Sequence, residues 1–176
     1  MNNLSKSHNG EVNRYNYIFL AIIFILFLIS IVLINQESKT WNNIKDELNL
    51  GKYYIHVEPD FEKADEIFSK LEKNSKLNDE YYIKWILAEI KFKRKNFEEA
   101  ELYYQKTLEM NPVLIEYNQF LSYIGIIKFE LGKYKEAQYY LDKAIRLSNN
   151  DNPLISDIKF LLKNVEEMNN EENNEE

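Results

Sequence analysis

Residues 96–112, NFEEAELYYQKTLEMNP, have the features of one complete amphipathic helix with a defined start and stop. Asn96 is a residue type that caps helix N-termini, and Glu99 three positions later completes the pattern of a capping box. Pro112 cannot continue a helix and disfavours helical geometry at the residue before it. Ala100 is small enough for a second helix to approach closely. A helix of this length cannot bury an apolar face alone, so the segment predicts a fold built from packed neighbouring helices.

The same block occurs twice more in the chain. Residues 60–73, DFEKADEIFSKLEK, place Ala64 where the central block has Ala100, and residues 132–147, GKYKEAQYYLDKAIRL, place Ala137 there. The three alanines are separated by 36 and 37 residues. Self-similarity at a period of this length indicates an array of stacked helix pairs.

Each block needs a preceding helix that offers a small residue where the two helices cross. Twelve residues before the alanines, the Leu-Ala pair at 87–88 and the Ile-Gly pair at 124–125 supply a large apolar residue followed by a small one. The first block has Gly-Lys at 51–52, which breaks the pattern. Because small residues allow close approach while large ones fill the gaps, we expect two regular helix pairs and one degenerate pair.

These blocks and their first helices resemble the tetratricopeptide repeat (TPR), well over residues 81–110 and 118–147 and less well over 45–76. The resemblance implies an all-α fold, a right-handed α-solenoid of about three helix–turn–helix repeats. Such arrays end in a capping helix. Residues 153–168 fit that role, since their apolar residues share one face: Leu154, Ile158, Leu161, Leu162 and Val165.

An apolar run at residues 17–34, YIFLAIIFILFLISIVLI, contains no charged residue. At about 1.5 Å per residue it covers about 27 Å, close to the hydrocarbon thickness of a bilayer. Tyr15 and Trp41 lie near its two ends, where interfacial aromatic residues are favoured. A cleaved signal peptide has a shorter apolar stretch and a small-residue cleavage site, which LISIVLINQES lacks. The run therefore predicts an uncleaved, single-pass membrane anchor.

The charges around this run do not settle its orientation. Lys6 and Arg14 precede it, and Lys39 and Lys45 follow it, so the positive-inside count is equal. We expect a bacterial inner (cytoplasmic) membrane protein with its N-terminus inside and its C-terminal domain outside. The run has no GxxxG motif and no ionisable residue, which favours a simple tether over a transport path or a dedicated dimer face.

Together these features predict five segments. We expect a polar tail at 1–14, the transmembrane anchor at 15–36, a linker at 37–44, the TPR-like domain at 45–168 and an acidic disordered tail at 169–176. Within the domain, the repeats are expected at about 45–78, 81–114 and 118–151, followed by the capping helix at 153–168.

Composition and motifs narrow the classes of function. A formal net charge of −7 makes nonspecific nucleic-acid binding unfavourable, and the absence of cysteine excludes disulfides and thiolate zinc sites. The two histidines, His8 and His56, are far apart, and no phosphate-binding glycine loop or serine nucleophile elbow is present. We therefore expect no enzyme activity, no cofactor, no metal and no small-molecule substrate. One basic cluster falls at a predicted helix C-terminus, where cations complement the helix dipole: Lys91, Lys93, Arg94 and Lys95.

In TPR proteins the first helices of successive repeats line a groove that binds peptides. The same arrangement here would give a partner-binding wall of Tyr82, Trp85, Glu89, Phe92, Tyr123, Ile126 and Phe129. Aromatic side chains often anchor binding hot spots. The basic and asparagine residues that clamp a terminal carboxylate in chaperone-binding members are not matched, so an amphipathic helix or apolar segment is favoured. Each aromatic residue is equally compatible with packing against a neighbouring repeat.

These features predict a non-enzymatic, membrane-tethered scaffold or adaptor that binds a partner peptide or helix in this groove. One alternative is a chaperone-like membrane factor that holds unfolded or translocating clients. Another is a structural subunit that self-associates, which leaves a homo-oligomer open. The sequence does not name the partner.

Overall fold

The structure, a computed structural model, describes residues 4–148 and 154–175, with side chains described at 16–148 and 156–168. Those residues form helices joined by short turns and include no β-strand, as the repeats predict. The helices are α1 (Leu4–His56), α2 (Phe61–Glu72), α3 (Tyr81–Lys93), α4 (Phe97–Met110), α5 (Asn118–Glu130), α6 (Tyr134–Leu147) and α7 (Leu154–Glu175). Short 3-10 helices, Ser75–Leu77 and Pro112–Glu116, precede α3 and α5. The chain divides into two compact units, Met1–Asp46 and Glu47–Glu176.

The first unit contains the apolar part of α1. From Asn16 onwards this helix is long and apolar enough to cross a membrane, with a mean hydropathy of 3.3 in its most apolar window and none of that window buried. The hydroxyl of Ser30 donates to the carbonyl oxygen of Leu26 at 2.9 Å, so this polar group is satisfied by its own helix. Residues 37–44, predicted as a linker, are helical because neither Gly nor Pro interrupts the chain there.

The second unit is a stack of helix pairs. The end of α1 pairs with α2, α3 pairs with α4, and α5 pairs with α6, and α7 then packs against α6. The small residues predicted at the crossings are buried, with Ala64, Ala100 and Ala137 at 0% exposure. Because these positions carry at most a methyl group, the paired helices approach closely and the larger side chains interlock around them.

Gly51 explains the irregular first repeat. A Cβ atom on Gly51 would lie 2.5 Å from Cε2 of Phe68 in α2, so Gly51 is itself the small residue at the crossing. The turn between α1 and α2 spans residues 57–60, one residue more than the turns at 94–96 and 131–133. The extra residue displaces the small position from 52 to 51. The pattern in the first repeat is therefore shifted by one residue and not lost.

The turns inside the second and third pairs are closed by backbone hydrogen bonds. The capping box predicted at Asn96 and Glu99 is wrong, since the Asn96 side chain makes no capping hydrogen bond. Instead, the Asn96 N–H donates to the Lys91 carbonyl and the Lys95 N–H donates to the Phe92 carbonyl, both at 2.9 Å. This is the Schellman arrangement, which ends one helix with a residue in the left-handed region and leads directly into the next.

The C-terminal helix is longer than predicted. It runs to Glu175, so residues 169–175, expected as part of a disordered tail, are helical. Extending an existing helix adds a hydrogen bond for each residue fixed, and the sequence after 154 contains no Gly or Pro that would stop it. The disorder predicted for residues 169–175 from their polar composition is therefore wrong.

Candidate partner-binding groove

The predicted wall residues of α3 share one face of that helix. Tyr82, Trp85, Glu89 and Phe92 follow each other at spacings of three or four residues, which places them along one side of a helix. Other α3 residues are buried in the stack: Ile83, Ile86, Leu87, Ala88 and Ile90. Tyr82 is exposed, and the other three are half-buried. The predicted wall side chains of α3 are therefore partly accessible to solvent, because the buried side chains on the rest of the helix face the hydrophobic core.

The aromatic residues of the wall also join neighbouring repeats. The Trp85 and Phe120 rings meet edge-on with centroids 5.6 Å apart, and the Phe92 and Tyr123 rings do so at 5.2 Å. These contacts connect α3 to α5 and belong to the cluster around buried Tyr104. Edge-to-face pairs of this kind stabilise packing beyond the area they bury. Trp85, Phe92 and Tyr123 therefore contribute to the packing of the fold.

Ile126 and Phe129 lie in a different environment from the other wall residues. Both pack against a second cluster, in which α6 and α7 contribute buried Leu141, Ile158 and Val165. The ring of Phe129 lies 5.7 Å from that of Tyr134. Five of the seven predicted residues are thus divided between two hydrophobic clusters, and the wall is not uniform.

Two cavities open at this face, one beside each cluster. The first, of about 170 Å³, lies between the end of α1 and α3 and is lined by Lys52, Ile55, His56, Tyr82, Trp85, Ile86 and Glu89. The second, of about 250 Å³, lies between α5 and α7 and is lined by Gln119, Ser122, Tyr123, Ile126, Asp157, Ile158 and Leu161. We call these the α1–α3 cavity and the α5–α7 cavity. The first carries most of the charged groups, and the second is mainly apolar.

The α7 side of the second cavity was not among the predicted site residues. The sequence indicated only a capping helix there, although the apolar spacing of Ile158 and Leu161 was visible. Which of those residues would be covered by α6 and which would face the α5–α7 cavity depends on how α7 docks. That docking is a tertiary property, and no local pattern reports it.

Glu89 is the one acidic residue among the predicted wall positions. Burial raises the pKa of its carboxyl, whereas a weak hydrogen bond from the Trp85 side chain and the charges of His56 and Lys93 oppose that shift. The indole Nε1 of Trp85 is buried and makes no hydrogen bond of normal length and angle. No ion pair joins Glu89 to any side chain that the structure describes. The α1–α3 cavity therefore contains a desolvated carboxylate without a cationic partner.

The basic cluster at the end of α3 has a more specific role than completing a helix dipole. Nζ of Lys91 lies 2.8 Å from Oδ2 of Asp65 in α2 and 2.7 Å from Oε2 of Glu99 in α4. Arg94 also pairs with Asp65. Burial tends to lower the pKa of Lys91, but the hydrogen bonds and charges of Asp65 and Glu99 outweigh it and the pKa is raised. Lys91 thus connects the first repeat to the second.

The same bridge recurs one repeat later. Lys128, 37 residues after Lys91, lies 2.6 Å from Oε1 of Glu101 in α4 and also pairs with Glu136 in α6. Glu101 follows its alanine directly, as Asp65 does, and Glu136 precedes its alanine, as Glu99 does. We call this pair of bridges the inter-repeat ladder. Sequence alignment of the repeats would have shown it, had the charged positions been compared as well as the alanines.

These helix pairs place the second unit in the class of TPR-like α-solenoids. Residues 81–113 and 124–151 match the family model of the tetratricopeptide repeat, so the TPR repeats predicted from the sequence are confirmed. The match does not include the helix pair of α1 and α2. A comparison with curated proteins by sequence found no match.

Solved structures share this fold at low sequence identity. A type III secretion complex from Aeromonas hydrophila is 17% identical with a TM-score of 0.58, covering 73% of this chain and 84% of that one. The TPR2B domain of yeast Sti1, in complex with an Hsp70 peptide, is 17% identical with a TM-score of 0.56, covering 70% and 96%. The translocator chaperone SycD of Yersinia enterocolitica is 15% identical with a TM-score of 0.57, covering 71% and 84%.

Proposed function

We propose that this chain is a membrane-tethered interaction module that holds a peptide or helix of a protein partner against the face formed by α3 and α5. The observation that carries the proposal is the pair of cavities beside a row of half-buried aromatic rings. Rings fixed in place by packing lose little side-chain freedom on binding, so such a surface is suited to gripping a segment. The seven predicted wall residues are the proposed contact set.

The apolar part of α1 supports the tether. Its side chains from Tyr17 to Ile34 are exposed in the structure, as lipid-facing residues must be. An anchored module raises the effective concentration of its partner at the membrane surface without any additional contact. Placement in a bacterial inner membrane, with the repeats outside, remains part of this proposal.

A chaperone-like role is the second candidate, and the solved structures favour it. SycD is described as a translocator chaperone, and the Sti1 domain was solved with an Hsp70 peptide. Both share the fold of the helix pairs described above, which supports a protein-binding role. A chaperone would bind many apolar peptides weakly, whereas a scaffold would bind one partner selectively.

Site-specific photocrosslinking tests the proposal in the intact membrane protein. A photoreactive amino acid at Gln119, which is exposed and lines the α5–α7 cavity, should give discrete crosslinked products identifiable by mass spectrometry. The matched control is Gln105, an exposed glutamine on α4 that lines a different cavity, between α4 and α5. Products of equal yield from both positions would overturn the groove, and a product of twice the chain mass would favour self-association.

Blocking the cavity gives an independent measurement. Gln119→Trp should reduce recovery of the crosslinked partner at least tenfold by filling the cavity without removing core side chains. Gln105→Trp should leave recovery within twofold. Substituting Trp85, Phe92 or Tyr123 would be a poorer test, because those rings join α3 to α5.

A further inference from the structure

Glu89 differs from the other shielded carboxylates of the stack. Asp65, Glu72 and Glu101 each have a lysine within 4 Å: Lys91 at 2.8 Å, Lys84 at 3.8 Å and Lys128 at 2.6 Å. Glu89 is similarly shielded but has no such partner among the described side chains. A carboxylate withdrawn from water without a cation costs free energy, and proteins normally compensate that cost.

The surroundings of Glu89 are suited to a cation. Tyr82 and Trp85 lie on the same face of α3 and line the same cavity, so two aromatic rings stand beside the carboxylate. The faces of such rings attract ammonium and guanidinium groups. Nζ of Lys52 already lies 5.3 Å from the centroid of the Tyr82 ring, which shows that the rim of this cavity accommodates a positive charge.

The basic residues near the cavity do not neutralise Glu89. Lys52, His56 and Lys93 are all exposed, and none lies within 4 Å of the carboxylate. His56 and Lys93 act on Glu89 only as weaker charges at longer range. The carboxylate therefore remains available to a group that enters from outside.

We infer that Glu89, Tyr82 and Trp85 form a receptor for a basic side chain, so that the partner segment inserts a lysine or arginine into the α1–α3 cavity. This inference rests on the proposed function and specifies the chemistry of the partner. The α5–α7 cavity, across α5 from α3, takes an apolar side chain of the same segment. Since packed helices lie about 8–10 Å apart, the two side chains are separated by about 10–20 Å, or three to six extended residues.

The negative charge of Glu89 determines which partner segments bind well. A carboxylate placed directly against Glu89 is disfavoured, because the two like charges would be desolvated together without compensation. A purely apolar segment can still bind in the α5–α7 cavity. It does not reduce the free-energy cost of the desolvated, unpaired Glu89 carboxylate. The basic residue therefore provides selectivity, and the apolar residue provides most of the buried area.

Peptide display tests this inference with a defined probe. A random library of 12-residue peptides is selected on the full chain in nonionic detergent micelles, and the dissociation constants of enriched peptides are measured by isothermal titration calorimetry. We expect enriched peptides to carry Lys or Arg three to six residues from a bulky apolar residue. Glu89→Gln should weaken them at least tenfold, Glu89→Asp should weaken them less, and the exposed-site control Glu130→Gln should change them less than twofold.

The outcomes separate this inference from the proposed function. Enriched peptides that lack a basic residue, or that bind Glu89→Gln as tightly as the wild type, would overturn the cation receptor. If those peptides are still lost with Gln119→Trp, the groove itself stands. Enrichment of no peptide would overturn both. Circular dichroism of Glu89→Gln checks its folding, which we expect to be intact because the substitution removes a desolvated charge.

Discussion

At the scale of the single residue, Lys95 and Gly132 occupy the same turn position in successive repeats. Both have positive φ, 62° for Lys95 and 72° for Gly132. Glycine adopts this left-handed region without steric penalty, whereas a residue with a Cβ atom does so at a cost. A Cβ atom on Gly132 would meet nothing within 4 Å, so only the left-handed backbone conformation opposes a side chain at this position.

We therefore expect opposite effects from two substitutions at this position. Lys95→Gly should raise the free energy of unfolding by about 1 kcal/mol, and Gly132→Ala should lower it by about 1 kcal/mol. Urea denaturation of the full chain in nonionic detergent, followed by circular dichroism, measures both. Changes of the same sign in the two variants would contradict the backbone explanation.

At the scale of the helix pair, the crossings depend on residues without room for a larger side chain. A Cβ atom on Gly125 would lie 2.7 Å from Cγ and Cδ2 of Leu141 and 3.3 Å from its backbone nitrogen. The two residues therefore meet where α5 and α6 pack together. Because the leucine is buried in a packed cluster, it has little freedom to move aside.

Gly125→Ala should therefore destabilise the protein by about 1–3 kcal/mol through overpacking. Combining it with Leu141→Ala tests the cause, since the double variant should lose less than the sum of the two single losses. The same urea experiment supplies the values. Additive losses would show that the glycine is required for some reason other than contact with Leu141.

The ion pairs of the inter-repeat ladder join successive helix pairs. The Lys91 and Asp65 side chains are only 12% and 10% exposed, so their interaction is screened less than that of a surface pair. The pKa of Glu101 is likewise set by burial and by ion pairing. Burial tends to raise it, but hydrogen bonds from Lys128 and Lys133 outweigh burial and lower it. Glu101 thus contributes stability above its ordinary pKa of 4.5, and that contribution is lost as the pH falls through the lowered value.

Lys91→Met should reduce the free energy of unfolding by about 1–3 kcal/mol, because it leaves a poorly hydrated Asp65 with one partner fewer. Lys163→Met is the matched control. Lys163 pairs with Glu167 at the surface, where both side chains are more than 60% exposed. That pair should contribute less than about 1 kcal/mol. Equal losses in the two variants would show that the ladder adds nothing beyond an ordinary surface ion pair.

At the scale of the whole molecule, the apolar run and the repeat stack are specified by separate parts of the sequence. The apolar run lacks a charge at every position, whereas the stack carries many acidic residues and lysines. An arginine in the middle of a transmembrane helix costs about 2.5–3.5 kcal/mol on insertion scales. The repeats contain no comparable stretch, so the proposed membrane attachment depends on this run.

Leu26→Arg should therefore shift the protein from the alkali-resistant membrane fraction towards the soluble fraction. Gln36→Arg, just beyond the apolar run, should not. Immunoblotting of alkali-extracted membranes measures the distribution, and a C-terminal reporter active on only one side of the membrane gives the orientation. A wild-type chain found wholly in the soluble fraction would overturn the tether.

Much of the fold was predictable because its determinants are local and repeated. The alanines at 64, 100 and 137 and the intervening period of 36 or 37 residues predicted the helix pairs. The predictions of a capping box at Asn96 and of a disordered tail after residue 168 were wrong, also for local reasons. The Asn96 side chain competes with a backbone arrangement that needs no side chain, and a polar tail can still propagate a helix that has already formed.

The candidate site was predictable only in part. The sequence placed Tyr82, Trp85, Glu89 and Phe92 on one helix face, because that follows from the helical period. It did not show that the wall is divided between two clusters, or that α7 completes one of the cavities. Those features depend on which residues of different helices meet, and helix docking is not encoded in any single segment.

By itself, then, the sequence determined the apolar helix, the helix pairs and the small residues at their crossings, because periodicity and residue size act along the chain. Only the tertiary structure decided which charges are paired. It joined Asp65 to Lys91 and Glu101 to Lys128 across repeats and left Glu89 without a cation beside two aromatic rings. The physical reason is that burial and ion pairing depend on neighbours distant in sequence, whereas helix formation depends on neighbours a few residues away.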